Sequence, residues 1–183
     1  TRPLRAIVRR EAITARHNRF VQILALILAA GSITVAVLAS HPEAVPYGLL
    51  LLFLYTVPLF GLLVGVSAAQ EEREEHPFLL SQPIPRRSYI LGKAGVLSTA
   101  LVGVLILSLI PAVLTGAAGS AVLLLGFLGT VLSIVSVSSG LTIGQYASSQ
   151  TRGLMIALLA WFTAFGLYDV VALGLSSFEV VQQ

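Results

Sequence analysis

The sequence predicts an all-helical integral membrane protein, and three observations carry that reading. Of 183 residues, 56% are hydrophobic and only 10% are charged, against roughly 25% charged in a soluble domain. The apolar residues fall in long uncharged runs. The charges are gathered in a few short stretches between them. The net charge of +3 is therefore a membrane-orienting charge rather than the basic face of a nucleic-acid binder. There is no cysteine, which removes disulfides, thiolate metal sites and cysteine nucleophiles. His17, His41 and His76 stand alone, without a second ligand at helical spacing, so neither a metal site nor a cofactor is expected.

Residues 1–19 read as an amphipathic helix lying in the membrane interface. Leu4, Ile7, Val8, Ala12 and Ala15 share one stripe. Arg2, Arg5, Arg9, Arg16 and Arg19 occupy the other side, toward lipid phosphate. Glu11 interrupts the apolar stripe. Two roles are open to it: a snorkelling or locally paired carboxylate, or a salt bridge to the charged stretch at 70–75. The run 20–40 then carries no charge and covers about 30 Å at ~1.5 Å per residue, the thickness of the hydrocarbon layer. A secretory signal has a shorter apolar region.

His41–Pro46 predicts a turn, because its two prolines stop a helix. The second span is 47–69, kinked at Pro58. The third is 94–114, with Pro111 near its far end. A Gly/Ala-rich turn at 115–120 leads to the fourth, 121–143. A polar loop at 145–152 leads to the fifth, 153–175, and a tail follows. With five spans, all eleven Lys and Arg fall on one side of the membrane. The positive-inside rule places that side, with the amino terminus, in the cytoplasm.

Catalytic patterns are not legible. Gly92-Lys93 is followed by Ala94, so there is no phosphate-binding loop. The serines of the fourth span (Ser133, Ser136, Ser138, Ser139) have no base beside them and read as small residues for close helix packing and bonding between helices. Trp161, Phe162 and Phe165 read as packing groups. Asp169 lies near the outer end of the fifth span. It either reaches interfacial water or marks the outer mouth of a pathway. The chain is not expected to be an enzyme.

The ordered stretch is 70–93, QEEREEHPFLLSQPIPRRSYILGK. An acidic cluster precedes an apolar knot (Phe78, Leu79, Leu80), two prolines, paired arginines and Gly92-Lys93. An apolar knob with charged flanks suits docking into a partner's groove. Glu72-Arg73, Leu79-Leu80-Ser81, Pro83, Arg86 and Leu91-Gly92-Lys93 resemble a stretch of the ABC-2 type transporter permeases. So do Arg9-Arg10-Glu11 and Arg16-His17-Asn18-Arg19-Phe20 near the amino terminus, together with the order of spans. The run W-F-x-x-F-x-L-Y-D-x-x-x-L-G at Trp161–Gly174 is similar to the branch of that family serving maturation of nitrous-oxide reductase. This sequence departs from the family pattern at Gln70, where an acid is usual, at Glu74-Glu75, which replace Gly-Thr, and at Pro77, which is expected to interrupt the helix.

The resemblance implies a permease subunit in the cell's inner membrane that works as a homodimer with a separate cytoplasmic ATPase. It implies that Glu72, Arg73, Phe78, Leu79, Leu80 and Arg86 contact that ATPase, with Arg86 and Lys93 also anchoring the stretch at the lipid surface. It further implies six spans per subunit, so the sequence reads as a piece of a longer protein. A membrane scaffold that recruits a cytoplasmic partner through 70–93, without transport, is the alternative.

Overall fold

A computed structural model describes the backbone of residues 18–79 and 86–166, with side chains described outside 72–79 and 86–89. Every element among these residues is helical: α1 (Arg19–Leu38), a 3-10 turn (Pro42–Ala44), α2 (Val45–Leu79), α3 (Arg86–Ser108), α4 (Ile110–Leu114), α5 (Gly119–Tyr146), α6 (Gln150–Trp161) and a π-helical turn (Phe162–Gly166). Four stretches are long and apolar enough to cross a membrane: Arg19–Leu38, Pro42–Glu71, Ile90–Leu114 and Gly119–Tyr146. This is the architecture of a multi-pass membrane protein. Of the expected fifth span, α6 and the π turn are described. The rest lies outside the described residues, as do residues 1–17 with Glu11 and Arg16.

The helix α2 is the centre of the bundle. From Val64 to Gln70 every residue is buried, and α1, α3, α5 and α6 all pack against it. Its closest partner is α5, which runs in the same direction. Gly61 meets Ser136, Gly65 meets Gly140, and Ala69 meets Gly144. A Cβ placed on Gly65 would lie 2.6 Å from both the Leu141 amide nitrogen and the Val137 carbonyl oxygen. On Gly144 it would lie 2.9 Å from the Val66 carbonyl oxygen. Backbone therefore rests on backbone, which only small residues at four-residue intervals permit.

The other helices fit side chains into single glycines. Leu52 of α2 covers Gly31 of α1, and Val35 of α1 covers Gly48. Leu105 of α3 covers Gly129 of α5. Val66 of α2 reaches Gly153 of α6, where a Cβ would come within 2.7 Å of its Cγ1. Leu24, Leu28, Leu49, Leu101 and Leu105 are fully buried in the layer this creates. The large exposed side chains, such as Leu26, Leu107, Leu123 and Phe127, face away from it. In lipid that exposure carries no penalty, since acyl chains are as apolar as leucine.

Several boundaries differ from those expected. The helix expected to end at 69 continues to Leu79, through Pro77. A proline two residues from the helix end removes one ladder bond, to the Arg73 carbonyl, and leaves the rest of the helix intact. Pro46 likewise does not stop a helix; it sits in the first turn of α2, where its missing N–H would have had no intrahelical partner. The helix that carries the third span begins at Arg86 and breaks at Leu109. Pro111 offers no N–H to the Leu107 carbonyl, and the ladder tightens there, with Leu109 N donating to Ile106 O at 3.2 Å. After α4 the chain reverses at Gly116, whose φ of +78° suits glycine. Gly116 N and Ala117 N donate to the Val113 and Ala112 carbonyls, both at 3.1 Å, a Schellman closure. The polar loop expected at 145–152 shrinks to three residues between α5 and α6, Ala147–Ser149.

The contrast between glycines is testable. Gly65→Ala should destabilise the protein by about 1–3 kcal/mol, because the added methyl meets backbone. Gly103→Ala, on a face where nothing lies within 4 Å, should be neutral or stabilising by up to about 1 kcal/mol. Thermal unfolding of the two variants in the same detergent separates these outcomes.

Candidate coupling surface at the charged end of the bundle

The antiparallel turns bring the start of α1, the end of α2, the start of α3, the end of α5 and the start of α6 to one end of the bundle. Arg19, Arg73, Arg86, Arg87, Lys93 and Arg152 all belong to these segments. At the other end an open cleft of about 780 Å³ lies between the two turns, lined in part by His41, Glu43, Tyr47, Gly116 and Ala118. Among the described residues Glu43 is the one acid at that end. Asp169 lies outside the described residues.

Two of the charged-end helices begin on a specific local contact. Asn18 caps α1, its Oδ1 accepting from Phe20 N at 2.9 Å. Arg19 follows and is exposed. Ser149 caps α6, accepting from Arg152 N at 3.4 Å, and the Arg152 guanidinium donates back to Ser148 Oγ at 2.9 Å. Side-chain oxygens at these positions satisfy N–H groups that have no helical acceptor.

Of the residues expected to meet a partner, Glu72, Arg73, Phe78 and Leu79 lie on the last turns of α2, and Arg86 opens α3. Their side chains, and Leu80 altogether, lie outside the described residues. The structure thus places four of them on one rod continuous with the buried centre. Lys93 behaves differently from expectation. It is 6% exposed, in the stripe with Leu97, Leu101 and Leu105 that faces the bundle, so it does not anchor the stretch at the lipid surface. The four-residue spacing from Lys93 to Leu97 places both on the inward face.

One side chain at this end joins two helices directly. Gln70 is 9% exposed. Its Nε2 donates to the Gly144 carbonyl at 2.6 Å and to the Ala147 carbonyl at 3.1 Å. These carbonyls close α5, where the last turn has no donors of its own. One turn earlier Ser67 is also buried, its Oγ 3.4 Å from Glu71 Oε1. The sequence shows Gln70 only as an amide ahead of four acids, and it gives no sign of the bond across to α5. A carboxylate there would set acceptors against acceptors.

The chain matches no family model and no characterised protein. The functional reading therefore rests on residues and geometry.

The serines of α5 divide by face. Ser133 and Ser136 are buried in the small-residue seam; Ser138 and Ser139 are exposed. Contrary to the expected bonding between helices, the hydroxyls of Ser133, Ser136 and Ser138 turn inward to their own helix. Ser133 donates to Gly129 O at 2.8 Å, Ser136 to Leu132 O at 2.6 Å and Ser138 to Ile134 O at 2.7 Å. That satisfies the hydroxyl without a neighbour and leaves small size as the serines' contribution to packing.

In the first half of α2 an aromatic group ties α6 in place. Trp161 Nε1 donates to the Tyr55 carbonyl at 3.0 Å. Phe165 stacks edge-on to Tyr55, ring centroids 6.4 Å apart, and is tilted against Trp161 at 6.4 Å. The π-helical turn Phe162–Gly166 carries Phe165 to this position. Pro58 offers no N–H to the Leu54 carbonyl; the Tyr55 carbonyl, with two lone pairs, takes the indole as a donor from outside its helix. Trp161 and Phe165 are packing groups, as expected. Phe162 instead is 56% exposed.

Trp161→Phe keeps the ring and removes the donor. It should cost about 0.5–1.5 kcal/mol, the net value of one hydrogen bond, measured by thermal unfolding with near-UV circular dichroism reporting the ring environment.

Proposed function

We propose that this chain is the membrane subunit of an ATP-driven transporter, working with a separate cytoplasmic ATPase and a second copy of itself. The observation that carries the reading is the continuity of α2. One helix of 35 residues, Val45–Leu79, runs from the far turn through the buried centre into the charged stretch. At ~1.5 Å per residue it is a rod of about 50 Å. A force applied at Glu72–Leu79 acts on the middle of the bundle without passing through a flexible joint. The uneven charge supports the same orientation, since positive residues remain on the cytoplasmic side.

In this reading Phe78, Leu79 and Leu80 fill a groove on the ATPase. Glu72, Arg73 and Arg86 set register more than affinity, because exposed ion pairs contribute only about 0–1 kcal/mol. Two copies are proposed because the interior of one copy is close-packed. Leu24, Leu49, Leu101, Val137 and Ser133 are fully buried there, so a path through one subunit would have to displace them. A path between two copies would not.

Three measurements test the proposal. Single cysteines at Glu43 and Glu75, in a chain with none of its own, should react with an impermeant reagent added to intact cells at position 43 only. The reverse pattern would overturn the orientation. Purified from native membranes, the protein should carry an ATP-hydrolysing subunit, with two copies of each chain by native mass spectrometry. The double change Phe78→Ala, Leu79→Ala should weaken that association by about 10²–10⁴-fold, from ~1.5–3 kcal/mol for each buried side chain. A partner that binds but hydrolyses no nucleotide would favour the scaffold instead.

A further inference from the structure

Gln70 marks the point where α2 leaves the bundle. It is the last of the buried run Val64–Gln70, and Glu71 beside it is exposed. Beyond it the same helix continues to Leu79. At this exit the side-chain amide spans to α5 and donates to Gly144 O and Ala147 O. Ala147 is the C-cap of α5 and the first residue of the turn into α6; it is itself 4% exposed. The match is chemical as well as spatial. A primary amide has two N–H donors, and the end of a helix presents carbonyls without donors together with the negative end of its dipole. Glutamate would bring negative charge and no donor. That accounts for an amide at 70 immediately before Glu71 and Glu72.

We propose that Gln70 is a positioning residue, a latch that locks the projecting end of α2 to the α5–α6 turn so that the two move as one body. Above the latch, α2 and α5 are already held by the Gly65–Gly140 and Ala69–Gly144 contacts. Below it, α2 projects. The latch sits at the fulcrum. Without it, a displacement of residues 71–79 is taken up by separation at the exit. With it, the displacement passes to α5, to the short turn Ala147–Ser149 and so to α6. That this motion is driven by an ATPase rests on the transporter reading; the latch does not.

The test uses the full chain in lipid nanodiscs. Nitroxide labels at Glu71→Cys and Gln150→Cys, both exposed positions, report the distance between the α2 exit and the start of α6. Pulsed electron resonance should give one narrow distance with Gln70 present. Gln70→Met keeps the length and removes both donors. It should broaden the distribution and speed hydrogen exchange at residues 71–76 by about tenfold. An unchanged width and unchanged exchange in a folded Gln70→Met protein would overturn the latch. Should that variant not fold, the unmodified protein answers the question. The Gln70 side-chain amide protons should exchange slowly by nitrogen-15 NMR, and free-amide exchange would overturn the proposal. If the latch is found but no ATPase accompanies the protein, the transporter reading fails and the latch stands. If an ATPase does bind and Gln70→Met transports with unaltered coupling, the role in transmission fails.

Discussion

The contact between α2 and α5, backbone against backbone, is the constraint on which the rest of this structure depends. Water-driven association of apolar faces is unavailable between helices in lipid, so their pairing depends on how closely they approach. Gly61, Gly65 and Ala69 on one helix and Ser136, Gly140 and Gly144 on the other remove the side chains that would hold the axes apart. At such distances dispersion between backbones, and Cα–H contacts to carbonyl oxygens, can act along the whole seam. Because the small residues recur every fourth position, the register is set as well: a slip of one residue would place Leu62 or Val66 against a peptide plane.

The parallel pairing has consequences for chain path. Helices that run in the same direction cannot be joined by a short turn, so α3 and α4 must intervene and carry the chain back across. They return along α5, with Leu105 seated over Gly129, and α1 closes the remaining side with Leu24 and Leu28 fully buried. The helix α6 occupies the last face of α2 through Gly153, Ala157 and Trp161. With the run Val64–Gln70 of α2 buried, the polar groups within it need partners inside the protein, and the Gln70 amide meets that need at its exit.

This places a stiff element at the boundary between packed and projecting protein. Most charged segments between membrane spans read as loops, and a loop would dissipate a push through its own backbone freedom. Here the acidic stretch is the end of the central helix. The proposed coupling role draws its physical content from that continuity, whatever cargo the assembled protein handles.

The sequence by itself determined the helical membrane class, the approximate place of four spans and the gathering of positive charge at one end. Hydropathy and charge act residue by residue, through the cost of taking each group into lipid, so no tertiary partner is needed to read them. It was less able to place helix ends. Pro46 and Pro77 read as breakers, yet each lies near an end of α2, where a missing amide costs little. Pro111 does break its helix, and only the hydrogen bonds around Leu109 show where. The tertiary structure alone decided which of many glycines matter, that Lys93 faces the bundle rather than lipid, that Ser133, Ser136 and Ser138 bond to their own helix, and that Gln70 reaches across to α5. Each of these depends on which neighbour a side chain meets. In a chain apolar on every face, periodicity carries no mark of which face turns inward.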